Sequence, residues 1–205
     1  MIRLAIAVEG ETEEEFVKQV LAGRLRLRDV EPIPYLLMGN VNVPRLSGEM
    51  ARLFTGHDAV TSLVDFYGFE GKNQGESVED LEHRILTATR TNLRIAPDPF
   101  LVIPYVQLHE FEGLLFADTR AFGTLLNLPE GALERLQTIR EQFETPEDIN
   151  NDTLTAPSKR IANIIPRYNK KVDGPMLAEE VGLDRICSEC PRFNEWIADL
   201  EALAE

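Results

Sequence analysis

Four apolar runs of strand length, separated by amphipathic helical stretches, constrain this fold more than any other feature of the chain. Ile2-Arg3-Leu4-Ala5-Ile6-Ala7-Val8 is almost unbroken, as a central parallel strand covered on both faces requires. Gly10 ends it, Thr12 with Glu15 fits a capping box, and Phe16, Val17, Val20, Leu21 and Leu25 recur at helical spacing. Ile33 to Met38, with Pro34 inside it, predicts a short second strand at a sheet edge, because proline cannot donate to a ladder. A helix over Val43 to Phe54 leads to a third strand, Ala59 to Val64, with Asp65 at its C-terminal end as Glu9 is on the first.

The glycine-rich segment Phe66 to Gly75 predicts an exposed loop. Ser77 and Asp80 open a helix carrying Val78, Leu81, Ile85, Thr89 and Leu93 on one face. Pro97 and Pro99 end that connection, and Phe100-Leu101-Val102-Ile103 predicts a fourth, fully apolar strand. The alternation is that of an α/β protein: a mostly parallel sheet, helices on both faces, right-handed crossovers. In such sheets functional groups gather beyond the C-terminal strand ends. Glu9, Asp65 and the His109-Glu110-Phe111-Glu112 group all fall there.

After Asp118 the pattern changes to helices and turns, so residues 1–118 read as the α/β domain and 119–205 as a C-terminal helical extension packed on it. Ala132, Leu136, Ile139 and Phe143 mark one helix, Pro157 to Ile165 a second, and Phe193, Trp196, Ile197, Leu200 and Leu203 a last. An acidic loop from Pro146 to Asp152 separates the first two.

A formal net charge of −14 argues against a simple DNA-binding module, since phosphate-backbone affinity comes mainly from Lys and Arg displacing counterions. It argues less against a metal-dependent nuclease, whose carboxylates are neutralised in part by cations and whose basic surface a second subunit of a homo-oligomer could supply. No membrane span or signal peptide is evident, and the chain reads as cytoplasmic. Cys187 and Cys190 are too few for a disulfide framework and read as reduced and structural, with a redox role or a shared metal site as the alternative. P-loop, G-x-G-x-x-G and G-x-S-x-G patterns are missing from the sequence.

Carboxylates at neighbouring strand ends suit Mg²⁺ or Mn²⁺, which take oxygen ligands and leave positions for water and phosphate. Glu9, Asp65, Glu110 and Glu112 are the candidate metal ligands, with one of the last pair free to be a surface group. Glu9 could equally cap the helix that follows, and Glu13 and Glu14 read as solvated first-turn residues. His109 could transfer protons near neutrality, or be a structural histidine. The basic residues Lys159, Arg160, Arg167, Lys170 and Lys171 form the best patch for a phosphate or transition-state contact, or else a solvated basic face that offsets nearby acids.

The stretches Val8-Glu9-Gly10-Glu11-Thr12-Glu13, Leu63-Val64-Asp65-Phe66-Tyr67-Gly68 and Gln107-Leu108-His109-Glu110-Phe111-Glu112-Gly113-Leu114-Leu115-Phe116 resemble the signature of the bacterial family DUF4276. Ala156-Pro157-Ser158-Lys159-Arg160 and the run from Cys190 to Trp196 strengthen the resemblance. That family is in turn similar to the Toprim fold of topoisomerases, primases and overcoming-lysogenisation-defect nucleases. The likeness implies a Toprim-like sheet and an Mg²⁺-dependent nuclease acting on DNA or RNA, with Glu9 and Asp65 on its metal-binding carboxylates. Tyr67 stands where that fold has a second aspartate, so Glu110 or Glu112 would have to make good the loss. Lys159, or else Lys171, would stand in for the late lysine. The resemblance also implies an ATPase partner and an effector role in anti-phage defence. The alternatives are a catalytically silent Toprim-like module that binds or regulates such an ATPase, and a small-molecule phosphohydrolase.

Overall fold

The structure, a computed structural model, describes residues 1–93, 98–150 and 155–204. Pro97 and the end of the acidic loop, residues 151–152, lie outside them. The first strand, β1 (Ile2–Val8), runs into α1 (Glu11–Phe16), a π-helical turn (Val17–Leu21) and α2 (Ala22–Arg26), which together form one helical rod. Then follow β2 (Val30–Leu36), α3 (Val43–Phe54), β3 (Ala59–Asp65) and α4 (Val78–Leu93). Two short strands, β4 (Val102–Ile103) and β5 (Val106–Gln107), precede a 3-10 segment, Phe111–Asp118. The remainder is helical: α5 (Arg120–Leu125), α6 (Ala132–Arg140), α7 (Pro157–Ile164), α8 (Lys170–Val181), α9 (Leu183–Glu189) and α10 (Pro191–Glu201).

The sheet has the order β2-β1-β3-β4, with β5 continuing against β3, and every pairing is parallel. This is the predicted α/β architecture. The inner strands β1 and β3 bury their apolar runs: Leu4 to Val8 are fully buried and so is Leu63. Alternate β1 side chains face two cores. Leu4, Ile6 and Val8 pack with Phe16, Phe111, Phe193 and Trp196, while Ala5 and Ala7 pack with Leu46, Met50, Leu81 and Ile85 of α3 and α4. Residues from β1 and from the last helix thus share one hydrophobic cluster.

Several elements differ from the sequence reading. The second strand begins at Val30 rather than Ile33, as an edge strand beside β1. Pro32 and Pro34, two residues apart, turn the same side of the strand away from β1, where no donor is needed. The fourth strand is split. Pro99–Leu101 is a 3-10 turn capped by Asp98, whose Oδ1 accepts the Phe100 N–H at 3.1 Å, and Phe100 is 77% exposed. Pro104 interrupts the ladder after Ile103, and the Ser62 hydroxyl fills the gap, accepting from Tyr105 N–H and donating to Tyr105 C=O, both at 3.0 Å. The first helix starts at Glu11, and it is Glu13, not Glu15, whose carboxylate accepts the capping N–H, from Gly10 at 2.9 Å.

The helix α8, Lys170–Val181, which the sequence reading did not mark, runs through Gly174-Pro175. Its N-terminus is fixed by Asn169, whose Oδ1 accepts Lys171 N–H at 3.2 Å. Gly174 suits the close packing: a Cβ there would stand 3.1 Å from Thr12 Cγ2, closer than side chains ordinarily approach, and 3.4 Å from the Tyr168 hydroxyl. This close approach of α8 to α1 carries Lys170 to the sheet edge. Among the described residues, no helix is long and apolar enough to cross a membrane.

Candidate functional site

At the C-terminal edge of the sheet, Glu9 leaves β1 and Asp65 closes β3. The two strands are in register up to Val8 and Leu63, so these acids emerge side by side. Glu9 Oε2 accepts the Asp65 N–H at 3.0 Å, and Asp65 Oδ1 accepts the Phe111 N–H at 2.9 Å, which ties both carboxylates to backbone. Gly68, in the loop after β3, lies against Glu9: a Cβ on it would come within 3.0 Å of Glu9 Oε1. A cavity of about 230 Å³ opens here, lined by Glu9, Glu11, Glu13, Asp65, Lys170 and Lys171 among others. A larger groove of about 390 Å³ between α6 and α7 has no carboxylate in its lining, so size alone does not mark the site.

Lys170 stands in the midst of the acids. Its side chain is 41% exposed, yet its ammonium reaches the fully buried Glu112 at 3.1 Å and Asp65 Oδ2 at 3.8 Å. Burial opposes its charge, but Asp65, Glu112 and Glu13 outweigh burial and hold the ammonium well above its ordinary pKa. The carboxyls respond in the opposite sense. Desolvation raises Asp65 well above the usual range; Lys170 offsets part of this, and Glu13, Glu9 and Glu112 add to it. Desolvation likewise raises Glu13 and Glu112, again with Lys170 opposing. One cation faces more carboxylates than it can neutralise. This crowding of like charge, with strong desolvation, is the electrostatic character of functional sites.

The site differs from the sequence reading in membership. Glu13, read as a solvated first-turn residue, is 3% exposed and lines the cavity. Glu112 is held by Lys170, whereas Glu110 turns away and accepts the Ser158 N–H at 2.9 Å at the start of α7. Lys159 is exposed on α7 and does not line the cavity. Lys171 does line it, paired with Glu11 at 2.6 Å. His109 is placed beside it rather than in it: its ring nitrogen lies 3.1 Å from Asn150 Nδ2, its backbone carbonyl accepts Tyr67 N–H at 3.0 Å, and burial lowers its pKa, favouring the neutral ring. The Tyr67 hydroxyl is buried without a hydrogen-bond partner among the described residues. Asp65 and Glu9 are legible as strand-end acids, but Lys170 is one of several basic residues in its stretch, and only the approach of α8 to α1 singles it out.

Backbone strain gathers at the same edge. Of the non-glycine residues with positive φ among those described, Met38, Asn40 and His109 all lie in segments bonded to the Glu9 or Asp65 loops. Such conformations cost on the order of 1–3 kcal/mol each and persist where surrounding structure enforces them.

A hard divalent cation takes oxygen donors, and Mg²⁺ is often held by one or two carboxylates with water and phosphate completing its shell. Glu9 and Asp65, on rigid strand ends beside an open cavity, fit a site of that kind. They do not form a closed cage: among the described residues, no three His, Cys, Asp or Glu side chains are grouped to hold an ion.

The profile described as "Domain of unknown function (DUF4276)" matches residues 8–201. The chain belongs to the DUF4276 family. No curated protein sequence matches it. Among solved structures, the C-terminal region of the Burkholderia pseudomallei OLD protein is similar at TM-score 0.52 and 15% identity, covering 98% of this chain and 99% of that one. The C-terminal region of the Xanthomonas campestris pv. campestris OLD protein is similar at TM-score 0.50 and 15% identity, covering 98% and 95%. These likenesses show that this DUF4276 chain shares the α/β fold, a mostly parallel sheet with helices, of the OLD C-terminal region.

Proposed function

We propose that this DUF4276 protein is a metal-dependent nuclease that hydrolyses phosphodiester bonds of DNA or RNA. The observation that carries the reading is the meeting of Glu9 from β1 and Asp65 from β3 in one cavity with Lys170 and Lys171. Glu9 and Asp65 would hold Mg²⁺ or Mn²⁺, which when bound supplies charge neutralisation and an acidified water. Asp65 N–H fixes the Glu9 carboxylate, and Phe111 N–H fixes Asp65, so neither acid has to reorganise when substrate arrives. Lys170 would stabilise the charge that develops on the phosphate oxygens, in the role that the sequence reading gave to Lys159 or Lys171. Lys171, 66% exposed, would meet the incoming backbone at the cavity mouth. The family likeness supports an ATPase partner and a place in anti-phage defence, in the cytoplasm, where Cys187 and Cys190 would stay free thiols.

Glu9→Gln should abolish Mn²⁺-stimulated cleavage of labelled DNA and RNA while leaving the thermal midpoint within a few degrees. Unchanged cleavage in that variant sinks the assignment. A second reading, a catalytically silent module that regulates an ATPase, draws on one observation: Lys170 already sets a positive charge among the acids. Calorimetric titration separates the two. Mn²⁺ binding that is lost in Asp65→Asn favours the nuclease; no binding at millimolar metal favours the silent module.

A further inference from the structure

The loop between β2 and α3 is built around an unexplained residue. Leu37 N–H bonds Val8 C=O at 2.9 Å and Gly39 N–H bonds Glu9 C=O at 3.2 Å, so Met38 is bracketed by two ties to the strand end that carries Glu9. Met38, Gly39 and Asn40 are all left-handed, with φ of 62°, 73° and 51°. A long side chain disfavours that backbone, and glycine would adopt it freely. Arg45 enforces it: the guanidinium donates to the carbonyls of Leu37, Gly39 and Asn40. Glu70 N–H to Val41 C=O, at 2.8 Å, ties this loop to the one that follows Asp65. Packing gives no reason for methionine here, since Met38 is 72% exposed. Strain without burial is what remains when a side chain is kept for something outside the fold.

We propose that Met38 is a specificity-determining contact of the site, packing its thioether and methylenes on the face of an unstacked nucleobase beside the bound phosphate. The substrate class is then single-stranded or frayed nucleic acid, because a paired and stacked base offers no free face. Methionine suits that task, being unbranched and polarisable with a favourable sulfur–aromatic contact, and apolar side chains including methionine are used as wedges between bases. The charge balance points the same way: a chain of net charge −14 gains little from phosphates alone, and base stacking supplies affinity that does not depend on positive charge. The inference rests on the nuclease reading of the same cavity.

The test is fluorescence anisotropy with labelled single-stranded DNA and RNA in Ca²⁺, beside thermal melting. Met38→Gly should weaken binding about tenfold, the effect of losing one modest stacking contact, and Met38→Leu should stay within about twofold of wild type. The Met38→Gly melting midpoint should equal or exceed that of wild type, because glycine relieves the left-handed strain. Wild-type binding that Met38→Gly leaves unchanged overturns the role of Met38 and leaves the nuclease reading standing. A lowered midpoint with unchanged binding overturns it too, making the residue structural. Failure of the wild type to bind either single strand overturns both.

Discussion

Two clusters of acids, each organised by one cation, lie in this molecule and are built in opposite ways. Between α10 and α4, Arg192 donates from its single Nη2 to both oxygens of Glu82 at 2.9 and 3.0 Å, reaches Glu79 at 3.1 Å and Val106 C=O at 3.1 Å with its other nitrogens, and lies over the Tyr105 ring. Glu147 accepts the backbone N–H groups of Arg192 and Phe193, fastening the start of α10. Both oxygens of Glu82 and both of Glu147 have a donor. At the sheet edge, Lys170 serves Glu112 and Asp65 with a single ammonium, and Glu112 Oε1 is buried without a partner among the described residues. The Tyr168 hydroxyl stands near enough to Glu112 for the carboxylate to add to its burial-raised pKa, without a well-formed hydrogen bond. A guanidinium that serves its acids with all three nitrogens makes structure, whereas a point charge that leaves acids in excess preserves electrostatic potential for a ligand.

The largest expected effect is therefore on stability, at the saturated cluster. Arg192→Met should lower the unfolding free energy by about 3 kcal/mol, the low end for breaking a well-buried pair, because Glu82 keeps its burial and loses its side-chain donor, while Glu147 keeps its two backbone donors. Urea denaturation measures it, and a loss under about 1 kcal/mol would remove the contrast. Lys170→Met should lower it less, by about 1–2 kcal/mol, since the lysine side chain is 41% exposed and solvent screens part of the pair. It should also eliminate cleavage, which Arg192→Met should not do in the surviving folded fraction. Asp65→Asn added to Lys170→Met should recover part of the lost stability, a non-additivity expected of groups in contact.

The saturated cluster and the excess one were unequally visible in the sequence. Strands β1 and β3 are legible because both faces are buried and their runs are apolar, and this places Glu9 and Asp65 at one edge. The split of the fourth strand hides behind Phe100-Leu101-Val102-Ile103, where an Asp98-capped turn and Pro104 overrule the apolar pattern. Lys170 is illegible for a related reason. No helix is marked there by periodicity, yet α8 carries through Pro175, and Gly174 sits close against Thr12. Glu13 and Glu112 show no local sign of burial, because what buries them is the packing of α8 against α1 and the 3-10 segment. Local pattern gave the sheet edge; the counter-cation came from contacts distant in sequence.

The smallest effect, and the sharpest discriminator, is the pH dependence of Asp65→Asn. Burial holds the folded-state pKa of Asp65 well above its unfolded value of about 3.9. As pH rises from about 4, the unfolded chain releases this proton while the folded chain keeps it, so stability falls across the interval and stays lowered above the folded pKa. Asparagine has no proton to release and keeps the Oδ1 acceptor for Phe111 N–H. The variant should therefore match wild type near pH 4 and exceed it by about 1 kcal/mol at pH 7, the gain typical of relieving a strained functional site. Glu82 is also raised by burial, but Arg192 Nη2 donates to both of its oxygens and Val106 N–H to one of them, and Glu82→Gln should lose stability at pH 7 instead. Paired urea titrations at the two pH values read both variants. If Asp65→Asn is the less stable protein at pH 7, Lys170 neutralises its acids as completely as Arg192 does, and the edge cluster holds no excess charge for a metal or phosphate to answer.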